Sequence, residues 1–130
     1  MTIKKLFIFC VSVVYFQCTL TALYAEEIIY PDISGDWHSI SESGERTTAK
    51  VNLVQSGKDI TGNFIDEKDG KILVDARLVG YIDQAGNVIF DIYFGKVTST
   101  NRLTLSPDSK TLTGTFTNTI GNNGNVHYAK

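Results

Sequence analysis

Leu112-Thr113-Gly114-Thr115-Phe116 reads apolar, hydroxyl, glycine, polar, aromatic, and the chain says nearly the same thing twice more. Ile60-Thr61-Gly62-Asn63-Phe64 repeats it closely, and Ile33-Ser34-Gly35-Asp36-Trp37 repeats it with a larger ring. In a β-strand alternate side chains share a face, so the apolar residue, the glycine and the ring all point one way. A glycine between two large groups on a buried face weakens a strand unless the backbone bends or is approached closely there. Three such marks predict a sheet curling over a filled interior.

Outward from these stretches the chain alternates apolar and polar residues in short runs, with no helical period. Strands are expected near 33–40, 48–55, 59–66, 71–82, 87–95, 101–106, 111–118 and 124–129. Ser56-Gly57-Lys58-Asp59 reads as a tight hairpin whose glycine takes a positive φ. Asp66-Glu67-Lys68-Asp69-Gly70-Lys71 reads as a longer polar loop, and Asp83-Gln84-Ala85-Gly86-Asn87 as a turn. In Ser106-Pro107-Asp108-Ser109-Lys110 the proline presets φ for a type I turn, and Gly121-Asn122-Asn123-Gly124 makes the last hairpin. Short connections imply antiparallel neighbours. The expected fold is all-β, an antiparallel up-and-down barrel of about eight strands; a β-sandwich is the alternative.

Taking the repeated stretch as the inward register gives an interior of Ile33, Trp37, Val51, Leu53, Ile60, Phe64, Ile72, Val74, Leu78, Val88, Phe90, Ile92, Phe94, Leu103, Leu105, Leu112 and Phe116. The outward partners on most strands are polar, among them Lys50, Asn52, Asn63, Arg102 and Thr113, and a slip of one residue would reverse them all. The fourth and fifth strands differ, placing Leu73, Val79, Tyr81, Ile89 and Tyr93 outside. Adjacent on neighbouring strands, these five are the expected interface of a homo-oligomer.

Residues 1–25 stand apart. Lys4 and Lys5 precede an apolar run from Leu6 to Leu20, and Ala25 is followed by Glu26-Glu27. That order describes a secretory signal peptide cut after Ala25 or Ala22, leaving 26–130 as one barrel domain in a periplasmic or secreted protein. Cys10 and Cys18 both fall inside this leader, so the mature chain offers no disulfide, thiolate or cysteine metal site. Phe16 and Gln17 before Cys18 do not suit lipidation. Without Lys4 and Lys5, ten Lys and Arg stand against fourteen Asp and Glu, a net charge of −4. Nucleic acid and anionic membrane surfaces are therefore poor partners.

Gly35-Asp36-Trp37 resembles the G-x-W motif that opens lipocalin-like barrels, in which the Trp helps close one end. The order of Ile33–Trp37, Ile60–Phe64 and Leu78-Val79-Gly80-Tyr81 is similar to the first half of avidin-type barrels. The resemblance implies a calycin-like small barrel and covers about the first sixty mature residues. Avidins enclose biotin with several tryptophans, an Asn and a Tyr hydroxyl. Here Trp37 is the only Trp, Ser39 stands where the Asn would be, and Phe64 replaces the Tyr, so biotin is not the expected ligand. Lipocalins pack an Arg from a late strand on the first Trp, and 125–130 contains none.

Little in the sequence carries catalytic chemistry. His38 and His127 have no third ligand placed beside them, no nucleophile motif surrounds any Ser or Thr, and no metal or cofactor is expected. Asp75 and Asp91 lie on adjacent strands, but cross-strand salt bridges with Arg77 or Lys50 account for them better than acid–base work. Inward polar groups are confined to Ser39, Gln55 and Asp66, too few for an enzyme pocket. The expectation is an exported, non-enzymatic binding protein. Its partner is a small apolar ligand at a barrel mouth lined by Trp37, Ser39, Phe64, Phe94 and Tyr128, or another protein. An inhibitor or immunity-type protein acting on an exported enzyme is the alternative.

Overall fold

Each turn that the sequence marks with glycine or a short polar side chain brings one strand back beside the last. In the computed structural model, which describes residues 28–130, the strands are β1 (Gly35–Ile40), β2 (Arg46–Ser56), β3 (Asp59–Lys68), β4 (Lys71–Ile82), β5 (Asn87–Phe94), β6 (Val97–Leu105), β7 (Thr111–Asn118) and β8 (Asn123–Ala129). Every strand pairs antiparallel with the next, and β8 returns to β1 through Ser39 and His38, closing an eight-stranded up-and-down barrel. The sandwich alternative is excluded. The expected signal peptide at 1–25, with Cys10 and Cys18, lies outside the described residues. No helix among the described residues is long and apolar enough to cross a membrane.

Two turns are tighter than the sequence suggests. The polar run 66–71 is not a long loop: β3 continues to Lys68, and only Asp69 and Gly70 turn, at φ 53° and 74°. An Asp-Gly pair with both residues at positive φ is the type I′ arrangement whose twist matches the flanking strands. Likewise β6 starts at Val97, directly across from Phe94, because Gly95 takes the turn at φ 65°. The longer loops hold themselves by side-chain caps. Asp83 accepts from the Ala85 and Asn87 amides and the Asn87 side chain, and these bonds, Asn87 first, keep its carboxyl below the ordinary value.

The repeated glycines sit where neighbouring strands crowd together. Gly114 lies between Leu103 and Val126, and Gly62 between Leu53 and Leu78. A Cβ at Gly114 would stand 1.8 Å from the Arg102 carbonyl oxygen, and one at Gly62 would stand 1.8 Å from that of Asn52. Gly80, on the same inward face of β4, would meet Ile89 O at 2.1 Å. No side chain fits, so the sheet can curl tightly at these points. Gly35 differs: a Cβ there would make only ordinary contact, 3.5 Å from Lys130 Cε, and its φ of +114° is what selects glycine.

The inward register predicted from the sequence holds on every strand but one. Ile33, Trp37, Val51, Leu53, Ile60, Leu78, Val88, Phe90, Ile92, Leu103 and Leu112 are all buried, joined by Ala76, Ile82 and Tyr128. Phe64, Val74, Phe94 and Leu105 pack against this core from partly buried positions. The exception is Ile72, which is 57% exposed. A register shift puts Val74 opposite Asp66 but Ile72 opposite Glu67, so Leu73 is an extra residue and the alternation breaks there.

The two ends of the barrel are built differently. At the end holding the 57–58, 83–86 and 106–110 turns, the lead-in 30–34 folds across the opening. The Gln55 side chain pins it, accepting from Ile33 N at 2.7 Å and donating to Pro31 O at 2.8 Å. Beneath it Trp37 is fully buried and donates from Nε1 to Ile33 O at 2.8 Å. Lys130 covers the same ring, its Nζ 5.3 Å from the centroid and 2.9 Å from Ser34 O. Lys130, one residue past β8, thus places a cation over the first Trp, although 125–130 contains no Arg.

Candidate functional site

The opposite end carries the 41–45, 69–70, 95–96 and 119–122 connections and is not plugged. A cavity of about 320 Å³ opens there into the barrel. Its apolar wall comes from alternate residues of four strands: Phe64 on β3, Ile92 and Phe94 on β5, Phe116 on β7 and Val126 on β8. Phe64 and Phe94 meet edge to face, with centroids 5.3 Å apart and ring planes at 79°. That is a favoured aromatic geometry and fixes both rings at the rim.

Polar groups converge on the same space. Ser39 and Tyr128 face each other across the β1–β8 seam, and Ser99 and Asn101 come from β6. Ser99 is 8% and Asn101 2% exposed, deeper than any other polar side chains among the described residues. Among the described residues the Asn101 amide donates only to Ser99 O, at a long 3.4 Å. Tyr128 is 3% exposed, and burial alone pushes its hydroxyl pKa up to about 12. No Asp, Glu, Lys or Arg lines the cavity. His127 borders it from the outward parity of β8, opposite Thr113, so the floor can exchange hydrogen bonds with a guest but holds no charged side chain.

Of the residues expected at the mouth, Ser39, Phe64, Phe94 and Tyr128 are brought together there. Trp37 is not. It lies in the packed half under the lead-in, one level below the cavity floor, where its ring fills the core. Ser99 and Asn101 are further lining residues: β6 starts at Val97 rather than near 101, and the inward parity of Leu105 and Leu103 runs back through both; Asn118 joins them at the end of β7, two residues beyond inward Phe116. Inward polar groups are therefore not confined to Ser39, Gln55 and Asp66.

The outer face of β4 and β5 forms a second concavity, about 440 Å³, between Val79, Tyr81, Ile89 and Tyr93. Tyr81 stands opposite Ile89 and Arg77 opposite Tyr93, with the guanidinium 5.1 Å above the Tyr93 ring. Leu73 does not join them: it sits in the bulge at the other end of β4, with outward Asp75 and Arg77 intervening. Asp75 and Asp91 do not face each other. Asp91 lies across from Val79 and accepts from Thr100 Oγ1 at 2.7 Å, while Asp75 accepts from Asn63 Nδ2 at 2.8 Å.

His38 points outside, paired with Lys50 across β1 and β2, near Arg46 and Glu67. Lys50 instead meets Asp36 at 3.5 Å, and the Asn52 amide, helped by that lysine, holds the Asp36 carboxyl below its ordinary value. Among the described residues no three His, Cys, Asp or Glu side chains cluster as metal ligands would.

Compared with known proteins, the chain matches no protein-family model, no curated protein and no solved structure. What the barrel does is accordingly argued from its own geometry.

Proposed function

We propose that this chain is an exported, non-enzymatic binding protein with a calycin-like barrel, and that it holds a small apolar ligand in its open end. The observation that carries the reading is the contrast between the two ends. One is sealed by Trp37, the lead-in and Lys130, while the other keeps about 320 Å³ lined by Phe64, Ile92, Phe94 and Phe116. Pockets for small ligands start near ~300 Å³, so the guest is a small one. Apolar walls supply the driving force, and a few polar groups fix orientation. The one imidazole in the lining, His127, has the outward parity of β8, between inward Val126 and Tyr128. The polar groups on the floor are the Asn101 amide and the Ser99 and Tyr128 hydroxyls, and the phenol, raised above its ordinary 10.0, is protonated at neutral pH. Such groups bind a guest rather than move protons at neutral pH. Export rests on the leader at 1–25.

Native mass spectrometry of protein purified undenatured from its own source tests this. The expected spectrum carries an adduct of a few hundred daltons that organic extraction removes. A clean unliganded mass, together with no response to added toluene, would overturn it.

A second reading, that the barrel also self-associates, is favoured by the continuous outer row of Val79, Tyr81, Ile89 and Tyr93. Lys58 at one rim and Asp59 and Asp91 beside it give the groove both charge signs, which suits a self-complementary contact with a second copy. Tyr81→Lys should then lower the mass seen by sedimentation equilibrium. A wild-type monomer at micromolar concentration would dismiss the idea.

A further inference from the structure

The floor of the mouth holds polar groups whose hydrogen bonds are not used up. Asn101 offers two N–H donors and a carbonyl acceptor, and among the described residues only one bond is made, the long one to Ser99 O. The hydroxyls of Ser99 and Tyr128 have no side-chain hydrogen bond among the described residues. Yet no described side-chain nitrogen or oxygen is sealed in the interior without a partner. The free valences of these three buried side chains therefore open on the cavity they line. Open to the cavity, they can be met by water. A guest that displaces that water must replace its bonds or leave a buried polar group unmet at about 1–3 kcal/mol, so three converging on one space favour a guest with a polar atom there.

The walls state what else the guest must be. With no Asp, Glu, Lys or Arg in the lining, and His127 on the outward parity of β8 away from the floor, a carboxylate or ammonium drawn to the floor would lose its hydration and meet no counter-charge there. An Asn amide, donor and acceptor side by side, pairs best with a group that is the same in reverse. Above the floor, the rings of Phe64, Phe94 and Phe116 leave a space bounded by aromatic faces and edges, which favours a flat apolar body.

We infer that the mouth takes an uncharged, flat molecule head first, with a carboxamide-like donor–acceptor head on Asn101, Ser99 and Tyr128 and an aromatic body between Phe64, Phe94 and Phe116. This rests on the mouth being the binding site and adds the chemical class of what it binds. Asn101 selects the head group, and the three rings supply most of the affinity.

Three probes of nearly equal size separate the two layers of the claim: benzamide, benzoate and toluene, titrated into the purified protein and followed by ligand-observed NMR. Benzamide should bind at least 10-fold more tightly than toluene, and benzoate more weakly than either. Asn101→Leu should bring benzamide down to the level of toluene measured on the same variant. Toluene binding by the variant also shows that it has folded. Equal affinities of wild-type protein for benzamide and toluene would overturn the head-group inference and leave the apolar mouth standing, as would unchanged benzamide affinity in Asn101→Leu. Tight benzoate binding would overturn the requirement for an uncharged guest. Binding of none of the three would remove the mouth reading and the inference together.

Discussion

Replacing Gly114 by alanine tests why the repeated stretch has its glycine. The new Cβ would lie 1.8 Å from the Arg102 carbonyl oxygen and 2.9 Å from Leu103 Cα, where ordinary contact begins at 3.4 Å. The obstructing atoms are backbone, paired to β7 on one side and to β5 on the other, so no side-chain rotation relieves the clash. β6 and β7 must separate by more than an ångström at the level where Leu103 faces Gly114. Overpacking of this kind costs about 1–3 kcal/mol, and each ladder hydrogen bond lost adds about 1 kcal/mol. A loss of about 3–5 kcal/mol follows, from a domain whose whole stability is of order 5–15 kcal/mol. In a thermal melt followed by circular dichroism that is a fall of roughly 15–30 °C, if the variant folds at all. Gly57→Ala is the control. Its Cβ would meet nothing within 4 Å, so only the positive φ of 60° is penalised, at about 1 kcal/mol. If Gly114→Ala melts within a few degrees of Gly57→Ala, close strand approach is not what the repeated glycines are for.

Two further predictions address the sealed end and the floor of the mouth. Gln55→Leu strips hydrogen bonds from Ile33 N, Pro31 O and Gly57 O. It should cost about 2–3 kcal/mol in urea and expose the lead-in to limited proteolysis ahead of the strands; unchanged cleavage would refute that role for Gln55. Tyr128 supplies an alkaline signature, because its pKa is raised to about 12 in the folded chain from the ordinary 10.0. Its stabilising contribution is fully present below pH 10 and is lost as pH rises through 12, since the unfolded chain gives up the proton first. About 2–3 kcal/mol should go over that window, and Tyr128→Phe should flatten the fall. Identical alkaline unfolding of both proteins would show that the hydroxyl is not buried.

The sequence speaks most clearly where a single residue type has a single physical use. Gly114 and Gly62 are inward glycines with no room for Cβ, and their even spacing from Leu112, Phe116, Ile60 and Phe64 sets the register of two strands. The same reasoning failed at Ile72, because alternation cannot foretell a bulge: Leu73 is an extra residue with no distinctive chemistry of its own. It also stretched the turn at 66–71, where polar residues that look like loop are the outward faces of two strands and only Asp69-Gly70 bends.

At the site, Ser39, Phe64, Phe94 and Tyr128 were legible because they follow the inward parity towards one end. Trp37 shares that parity but not the end, and height along the barrel depends on strand stagger, which no local pattern reports. Asn101 and Ser99 were hidden for a different reason. Inward polar residues break the apolar alternation by which a strand is recognised, so the groups most informative about the guest are those that pattern reading sets aside. Lys130 escaped notice because the search at that place was for guanidinium, while an ammonium 5.3 Å from the Trp37 centroid fills the same position.

The central claim is that the barrel is hollow at one end only and that this end binds. Titrating toluene into protein with assigned aromatic side chains tests it most directly. The account predicts that the ring signals of Phe64, Phe94 and Phe116 shift in a saturable way while the Trp37 indole N–H and the Tyr81 and Tyr93 rings stay in place. Shifts at Trp37 or at the outer tyrosines, with the three phenylalanines unmoved, would contradict it.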